Sequence, residues 1–459
     1  MMSPARAASS DVKVQSFGNT QRSSNSTPAK GSFESLYAPS TARVRQTCTC
    51  KSSDGSSRHC TKEGCPRRRN LAGFRTPMAL NYDILLVLMD HLERKTLLSL
   101  MQTSRMLYDA GIHQILSKPV TLGRRFKLRS FCSFMLVDYP SRLRHLRNVS
   151  IEKGFRPECG CLDTLCTLLS DAPHLETLEI ARCDQFLQCN PELADAIASN
   201  PNIKSLRLDM AGDEGLAFLR RARCSLTSAA VLLTPPCLTG FPDMALEMSK
   251  FNSTLKDLSI QHSGILATKI SSYRYPLVTS LTVEESDVRL PALAHMFPAL
   301  RELTVYSFAY NIAQSDEEVE AIRKESKAWQ VEAGMGWHHL DKLEGDVTSL
   351  YGLAPICKVD LVSGMLTSRN ITRFAEVCRD TRPSTLKLYF HMDKCSVGEL
   401  KDVLHASPDF RSLSITVDAI GLTQDLDFTK FFNDLRSVVG TTPVNTLYFR
   451  FTWHSGRIR

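Results

Sequence analysis

The chain has 459 residues, 43% hydrophobic and 23% charged, more than one compact core normally serves, so several domains or one elongated array is expected. Its net charge of +8 sits in the N-terminus: residues 1–75 hold 13 Lys or Arg against four acids, which leaves the remainder near neutral at −1. A near-neutral body lacks the basic face of a folded nucleic-acid domain, so nucleic acid is not an expected partner.

Met1-Met2-Ser3-Pro4-Ala5-Arg6 leads into polar residues without the apolar stretch of a secretory signal. The longest clean apolar run, Ile84 to Met89, falls far short of the roughly 18 residues of a membrane span, so no membrane partner is expected. The 15 cysteines, an odd number scattered from Cys48 to Cys395, suit reduced thiols in the cytoplasm and/or nucleus better than a disulfide framework. Residues 1–75, rich in Ser, Thr, Pro, Ala and Gly, show no periodicity and read as a disordered basic tail. Within it, Cys48-x-Cys50 and Cys60-x4-Cys65 beside His59 superficially resemble zinc ligands, but neither pair has C-x2-C spacing, and no metal is assigned. Pro66-Arg67-Arg68-Arg69 reads as a solvated basic run before it reads as a nuclear-import signal.

Order is expected from about Met78. Ile84, Leu88 and Leu92 recur at fourfold spacing, as do Leu85 and Met89, which predicts a helix with a wide apolar stripe. A second helix is expected from Thr96, with Leu97, Leu100, Met101 and Ser104 on one side. Two such short helices cannot stabilise themselves and need the following domain or an external partner.

Residues 78–108 resemble an F-box on Leu80, Ile84, Leu85, Leu88, Leu92, Leu97, Leu100 and the Ser104-Arg105 pair. They depart from that pattern at Asn81, where proline is usual, at Asp83, where Glu is common, and at Thr96 before Leu97, where Asp is usual. The same periodicity also fits a hairpin that merely caps a repeat array.

From Leu146 onward the pattern L-x-x-L-x-L recurs, with Ile, Val or Phe allowed: Leu146/Val149/Ile151, Leu175/Leu178/Ile180, Ile203/Leu206/Leu208, Leu255/Leu258/Ile260, Val278/Leu281/Val283, Leu300/Leu303/Val305, Ile356/Val359/Leu361, Phe410/Leu413/Ile415 and Val444/Leu447/Phe449. Weaker copies stand at Leu226/Ala229/Val231 and Leu386/Leu388. From Val149 to Leu303 the middle residues step by 29, 28, 23, 29, 23 and 22, in or close to the period of leucine-rich repeats. Helix-like stretches ending at Pro173, Pro201, Pro298 and Pro408 separate the copies, and a proline halts a helix ahead of an extended segment. The expected fold class is therefore α/β: a leucine-rich-repeat solenoid of parallel strands and outer helices over 123–459, after a small all-α F-box-like module at 76–122 and the tail at 1–75.

A helical insertion at about 309–339 interrupts the period. Ser315-Asp316-Glu317-Glu318 forms a capping box leading through Val319, Ile322, Trp329 and Val331, and Gly334 to His339 reads as a helix stop and return to a strand near Leu340. A decorated repeat is preferred over a binding protrusion. His338-His339 is not assigned to metal, since neighbours in a strand face opposite ways and no third ligand is apparent. Cys183, at the expected ladder position, is assigned to packing.

Phosphate-loop, zinc-protease, nucleophile-elbow and dinucleotide-binding motifs are absent, so no enzymatic activity and no cofactor are expected. The F-box resemblance implies a substrate receptor of a Skp–cullin–F-box ubiquitin ligase, similar to fungal members with irregular repeats. A Skp-family adaptor would then bind at Leu80, Ile84, Leu85, Leu88, Leu92, Leu97 and Leu100 and connect to a cullin-RING ligase, while the repeats would hold an unidentified protein substrate. Strand alternation puts Glu179, Arg207, Ser259, Thr282, Glu302, Thr304, Tyr389, Ser414 and Tyr448 on the concave, substrate-facing side. The alternative is a leucine-rich-repeat interaction scaffold that joins no ligase.

Overall fold

The computed structural model describes residues 49–51, 57–59, 81–153, 161–234, 243–262, 272–286, 288–306, 315–334, 336–391, 397–407, 410–418, 428–442 and 444–452. The chain divides into two units, Met1–Pro77 and Met78–Arg459. In the first, β1 (Thr49–Lys51) and β2 (Ser57–His59) pair antiparallel, Thr49 opposite His59, inside the segment expected to lack structure. The rest of that tail, its remaining cysteines and Leu80 lie outside the described residues.

The second unit opens with three helices, α1 (Tyr82–His91), α2 (Arg94–Met101) and α3 (Arg105–Ser117), where the spacing predicts two. Asn81 caps α1, its side chain accepting from the Asp83 amide at 3.1 Å, which gives the residue in the usual proline position a structural use. Ser104, expected on a face of the second helix, instead caps α3, accepting from the Leu107 amide at 3.2 Å. Lys118 Nζ donates to the Asp90 and Leu92 carbonyls at 3.0 and 3.1 Å, satisfying the C-terminal end of α1.

Among the described residues the sheet of this unit is parallel throughout, with thirteen strands in strict chain order. They are β3 (Val120–Leu122), β4 (Asn148–Ile151), β5 (Thr177–Ile180), β6 (Ser205–Ala211), β7 (Ser228–Leu233), β8 (Asp257–Gln261), β9 (Ser280–Glu284), β10 (Glu302–Tyr306), β11 (His339–Gly345), β12 (Lys358–Leu366), β13 (Thr385–His391), β14 (Ser412–Asp418) and β15 (Thr446–Thr452). The helices that follow α3 are α4 (Arg125–Leu136), α5 (Leu162–Ser170), α6 (Cys183–Cys189), α7 (Pro191–Ser199), α8 (Asp213–Arg221), α9 (Met244–Glu247), α10 (Leu290–Met296), α11 (Asp316–Ala333), α12 (Val347–Leu353), α13 (Ile371–Thr381), α14 (Leu400–Ala406) and α15 (Phe428–Val439). β3 falls before the expected start of the array at residue 123 and is its first rung. Among the described residues no helix is long and apolar enough to cross a membrane.

Two buried rows cross the sheet. One runs from Val120 through Val149, Leu178, Leu206, Ala229, Leu258, Leu281 and Leu303 to Leu343, Val362, Leu386 and Leu413. The second lies two residues further along each strand. There the expected Ile356/Val359/Leu361 frame is corrected: Ile356 is exposed, Leu361 is half-buried, and the buried residues of β12 nearest its neighbours' rows are Val359, Val362 and Gly364. Gly345 and Gly364 stand side by side in that second row. A Cβ on Gly345 would lie 2.0 Å from the Val305 carbonyl oxygen, and one on Gly364 2.7 Å from the Phe374 ring, so close approach excludes the usual Leu or Ile.

The insertion helix α11 is bolted to its neighbours. The Ser315/Glu318 capping box forms in both directions, at 3.0 and 3.3 Å, and Gly334 takes the left-handed stop at φ 55°. Val319 packs inward as expected, whereas Val331 is exposed and Arg323 is buried. The Arg323 guanidinium donates to the Tyr351 carbonyl (2.9 Å), Glu376 (3.0 Å) and Asp380 (2.5 Å) and stacks 4.1 Å over the Tyr351 ring. Lys327 adds a second bond to Asp380 at 2.9 Å, and Trp337 Nε1 donates to the Phe297 carbonyl at 2.9 Å. Arg323→Ala removes the bonds to Tyr351, Glu376 and Asp380 together, leaving Asp380 with Lys327 alone, and is expected to destabilise α11 to α13 by about 2 kcal/mol. Amide hydrogen exchange in α11 and α13 measures this, with protection in β4 to β7 unchanged.

Candidate functional site

Two surfaces of the second unit carry the residues singled out by the sequence. The first is on α1. Met89 is fully buried, and Tyr82, Leu85, Leu86 and Leu92 pack partly against the core, which turns Ile84, Val87 and Leu88 outward at 52%, 59% and 44% exposure. Their spacing of three and four puts them on one helical face. In α2, Leu97 is fully buried and Leu100 partly so. Of the expected adaptor residues, Ile84 and Leu88 therefore reach the surface, Leu85, Leu92 and Leu100 pack partly against the core, and Leu97 is fully buried. Val87 was missed because the fourfold spacing singled out Ile84, Leu88 and Leu92, yet its place three residues after Ile84 carried the signal. Arg142 joins α3 to α4: it stacks 4.1 Å over the Phe134 ring, donates to the Phe134 carbonyl, and donates to the Tyr108 hydroxyl at 3.2 Å.

The second surface is the sheet face opposite the buried rows. In register, Glu179, Arg207, Ala230, Ser259, Thr282, Thr304, Glu344, Ser363, Lys387, Ser414 and Tyr448 form one transverse row. Seven of the nine expected substrate-side residues lie in it. Glu302 lies in the outward row before, opposite Ser280 and Lys342, and Tyr389 in the row after, opposite Met365 and Thr416. All nine belong to one face.

That face differs along its length. Near β4 to β6 a cavity of about 410 Å³ is lined by Ser150, Glu152, Lys153, Glu179, Arg207 and Asp209, with Arg207 Nε donating to Asp209 at 3.0 Å. Through β7 to β9 the central row is small and apolar or hydroxylated. From β10 onward it becomes charged and aromatic: the Tyr306 hydroxyl donates to Glu344 at 3.0 Å, and Lys342 Nζ lies 2.7 Å from the other Glu344 oxygen. Burial pushes the Glu344 carboxyl up, but Lys342, Tyr306 and Lys387 outweigh it and hold the group below its ordinary value. Burial, then the Glu344 charge, pushes the Tyr306 phenol up, while hydrogen bonding to Tyr389 raises Lys387. Ser363, between Glu344 and Lys387 in register, is fully buried and its Oγ has no hydrogen-bond partner among the described residues. Tyr306, Lys342, Glu344 and Lys387 were missed because three of them sit on strands whose repeat pattern is broken by the insertion or weak.

Four cysteines of the array are held as thiols by burial. Burial pushes Cys183, Cys378 and Cys132 up, Cys132 to about 12, and Cys357 likewise to about 12, so they pack as thiols.

The chain matches no protein-family model and no curated protein. Among solved structures it is similar to the crystal structure of the Rad7 and Elc1 complex in yeast, at 15% identity over 61% of this chain and 79% of that chain, with a TM-score of 0.31.

Because the folded Glu344 carboxyl titrates below its free value of 4.5, its contribution to stability is complete above that pH and fades as pH falls through the lower folded value. Screening keeps the contribution to about 1 kcal/mol or less. Glu344→Gln is expected to flatten the acid limb of stability below pH 4.5 relative to the unaltered protein, as read from denaturant midpoints across that range.

Proposed function

We propose that the protein is an adaptor rather than an enzyme: a substrate receptor of a Skp–cullin–F-box ubiquitin ligase, built on a leucine-rich-repeat array. In this reading α1 and α2 dock a Skp-family adaptor and the outward sheet face holds a target protein. The observation that carries it is the outward face of Ile84, Val87 and Leu88 on a helix whose other side is already packed. An amphipathic surface helix normally turns its apolar stripe inward; here apolar residues remain on the side left over. With the F-box resemblance, that leftover stripe is a protein-docking face. The mechanism is effective concentration: the receptor holds a target lysine near a charged conjugating enzyme carried by the cullin-RING partners, and no catalytic group of its own is required.

A second reading, a repeat scaffold whose helices only cap the array, is favoured by Met89, Leu97 and Met101 sharing one hydrophobic cluster with the sheet. Capping and docking use opposite sides of the same helices, so the two differ only in what covers Ile84 and Leu88.

Ile84→Asp with Leu88→Asp is expected to abolish co-purification of a Skp-family adaptor while leaving the circular dichroism and melting of the array unchanged, since both side chains are exposed. Failure of the unaltered chain to capture such an adaptor leaves the scaffold reading in its place.

A further inference from the structure

A carboxylate from each of two strands and an imidazole converge where the chain returns from the insertion. His339 opens β11, Asp341 follows two residues later, and Asp360 lies beside Asp341 on β12, the registers Leu340 with Val359 and Lys342 with Leu361 bracketing the pair. His339 Nε2 is 3.2 Å from Asp341 Oδ1 and 3.1 Å from Asp360 Oδ2, and the three donor atoms all lie within 4.8 Å of one another. We infer that His339, Asp341 and Asp360 form a binding site for a divalent transition-metal ion of the zinc class.

Zinc bonds imidazole nitrogen and carboxylate oxygen at about 2.0 to 2.2 Å, which sets tetrahedral ligand atoms roughly 3.3 Å apart. The two measured separations from His339 are already of that size, so an ion needs only a small adjustment of the carboxylates. One neutral imidazole and two carboxylates also balance a dication. An imidazole in the set favours zinc, cobalt or nickel over magnesium or calcium, which prefer all-oxygen shells.

The surroundings support the assignment. Arg301 Nη1 lies 3.6 Å from Asp341 Oδ2, the oxygen that faces away from His339, so it can orient the carboxylate while Oδ1 serves the ion. Both backbones are held in the parallel ladder, so the ligands stand on fixed strands. Asp360 also lines a cavity of about 1130 Å³, with Lys358, Arg382 and Arg411 on its walls. With three protein ligands, a tetrahedral ion keeps one position for water or another donor.

The competing arrangement is a protonated histidine held between two aspartates, which needs no metal. Cobalt titration of the full chain separates them. One Co²⁺ bound per chain is expected, with a nitrogen and oxygen ligand-field spectrum and no thiolate-to-cobalt charge transfer, which excludes the cysteines as the site. His339→Ala and the shape-preserving Asp360→Asn are each expected to weaken binding at least about tenfold, while His338→Ala, which removes the neighbouring imidazole, leaves it intact. Affinity unchanged by His339→Ala or Asp360→Asn, a spectrum showing thiolate ligation alone, or no uptake at millimolar cobalt overturns the assignment.

Discussion

The array depends on one backbone contact repeated at the start of almost every strand, a carbonyl that accepts two successive amides from the next repeat. The Arg147 carbonyl takes the amides of Glu176 and Thr177, that of Glu176 takes Lys204 and Ser205, that of Lys204 takes Thr227 and Ser228, and the device continues through Thr227, Lys256, Thr279 and Arg301. It returns at Ser384 and Arg411. A backbone amide left unpaired away from water is costly, so each strand becomes satisfied only when its successor is laid down. Register follows from this contact, and the Leu, Ile and Val positions follow from register. The repeats tolerate irregular lengths because the helices and turns between strands absorb the differences while the junction stays constant.

Decoration is held to the same frame by side chains. The helices before β3 give the first rung an apolar cover, with Lys118 and Arg142 tying them to the array. The insertion between β10 and β11 is anchored above all by a buried guanidinium, with Lys327 and Trp337 adding further bonds. Two carboxylates, a carbonyl and an aromatic face around Arg323 make an arrangement that lysine could not reproduce, since a point charge offers no fork of donors.

Much of this architecture was legible in the chain itself, wherever a feature is local. The rows beginning at Val149, Leu178, Leu206, Leu258, Leu281, Leu303 and Leu413 follow from period-two alternation, and the Ser315 capping box from a four-residue signature. The failures share a cause. β3 offers only Val120 and Leu122, too short a run to count as a repeat, and β12 misreads by placing Leu361 inside because Gly364 occupies the rung where a large aliphatic residue is usual. That glycine is dictated by Phe374 on another element, which no local pattern contains. For the open surfaces, strand parity located one face, and seven of its nine residues share a row. The Tyr306, Lys342, Glu344 and Lys387 cluster, and the approach of Asp341 and Asp360 to His339, are set by pairing between strands. His339 meets Asp341 from its own strand and Asp360 from the next one, an approach that the adjacency of His338 and His339 does not signal.

The serial order of the thirteen strands has a mechanical consequence. Among the described residues every strand is bonded only to its neighbours in chain order, and no pairing within the sheet closes its two ends on each other. Tension applied along the stack would therefore be borne by each junction in turn rather than shared by a common core. Of the two edge strands among the described residues, β15 carries Leu447 at 45% exposure in a row that is buried in the strands before it, so that junction would yield ahead of those further in.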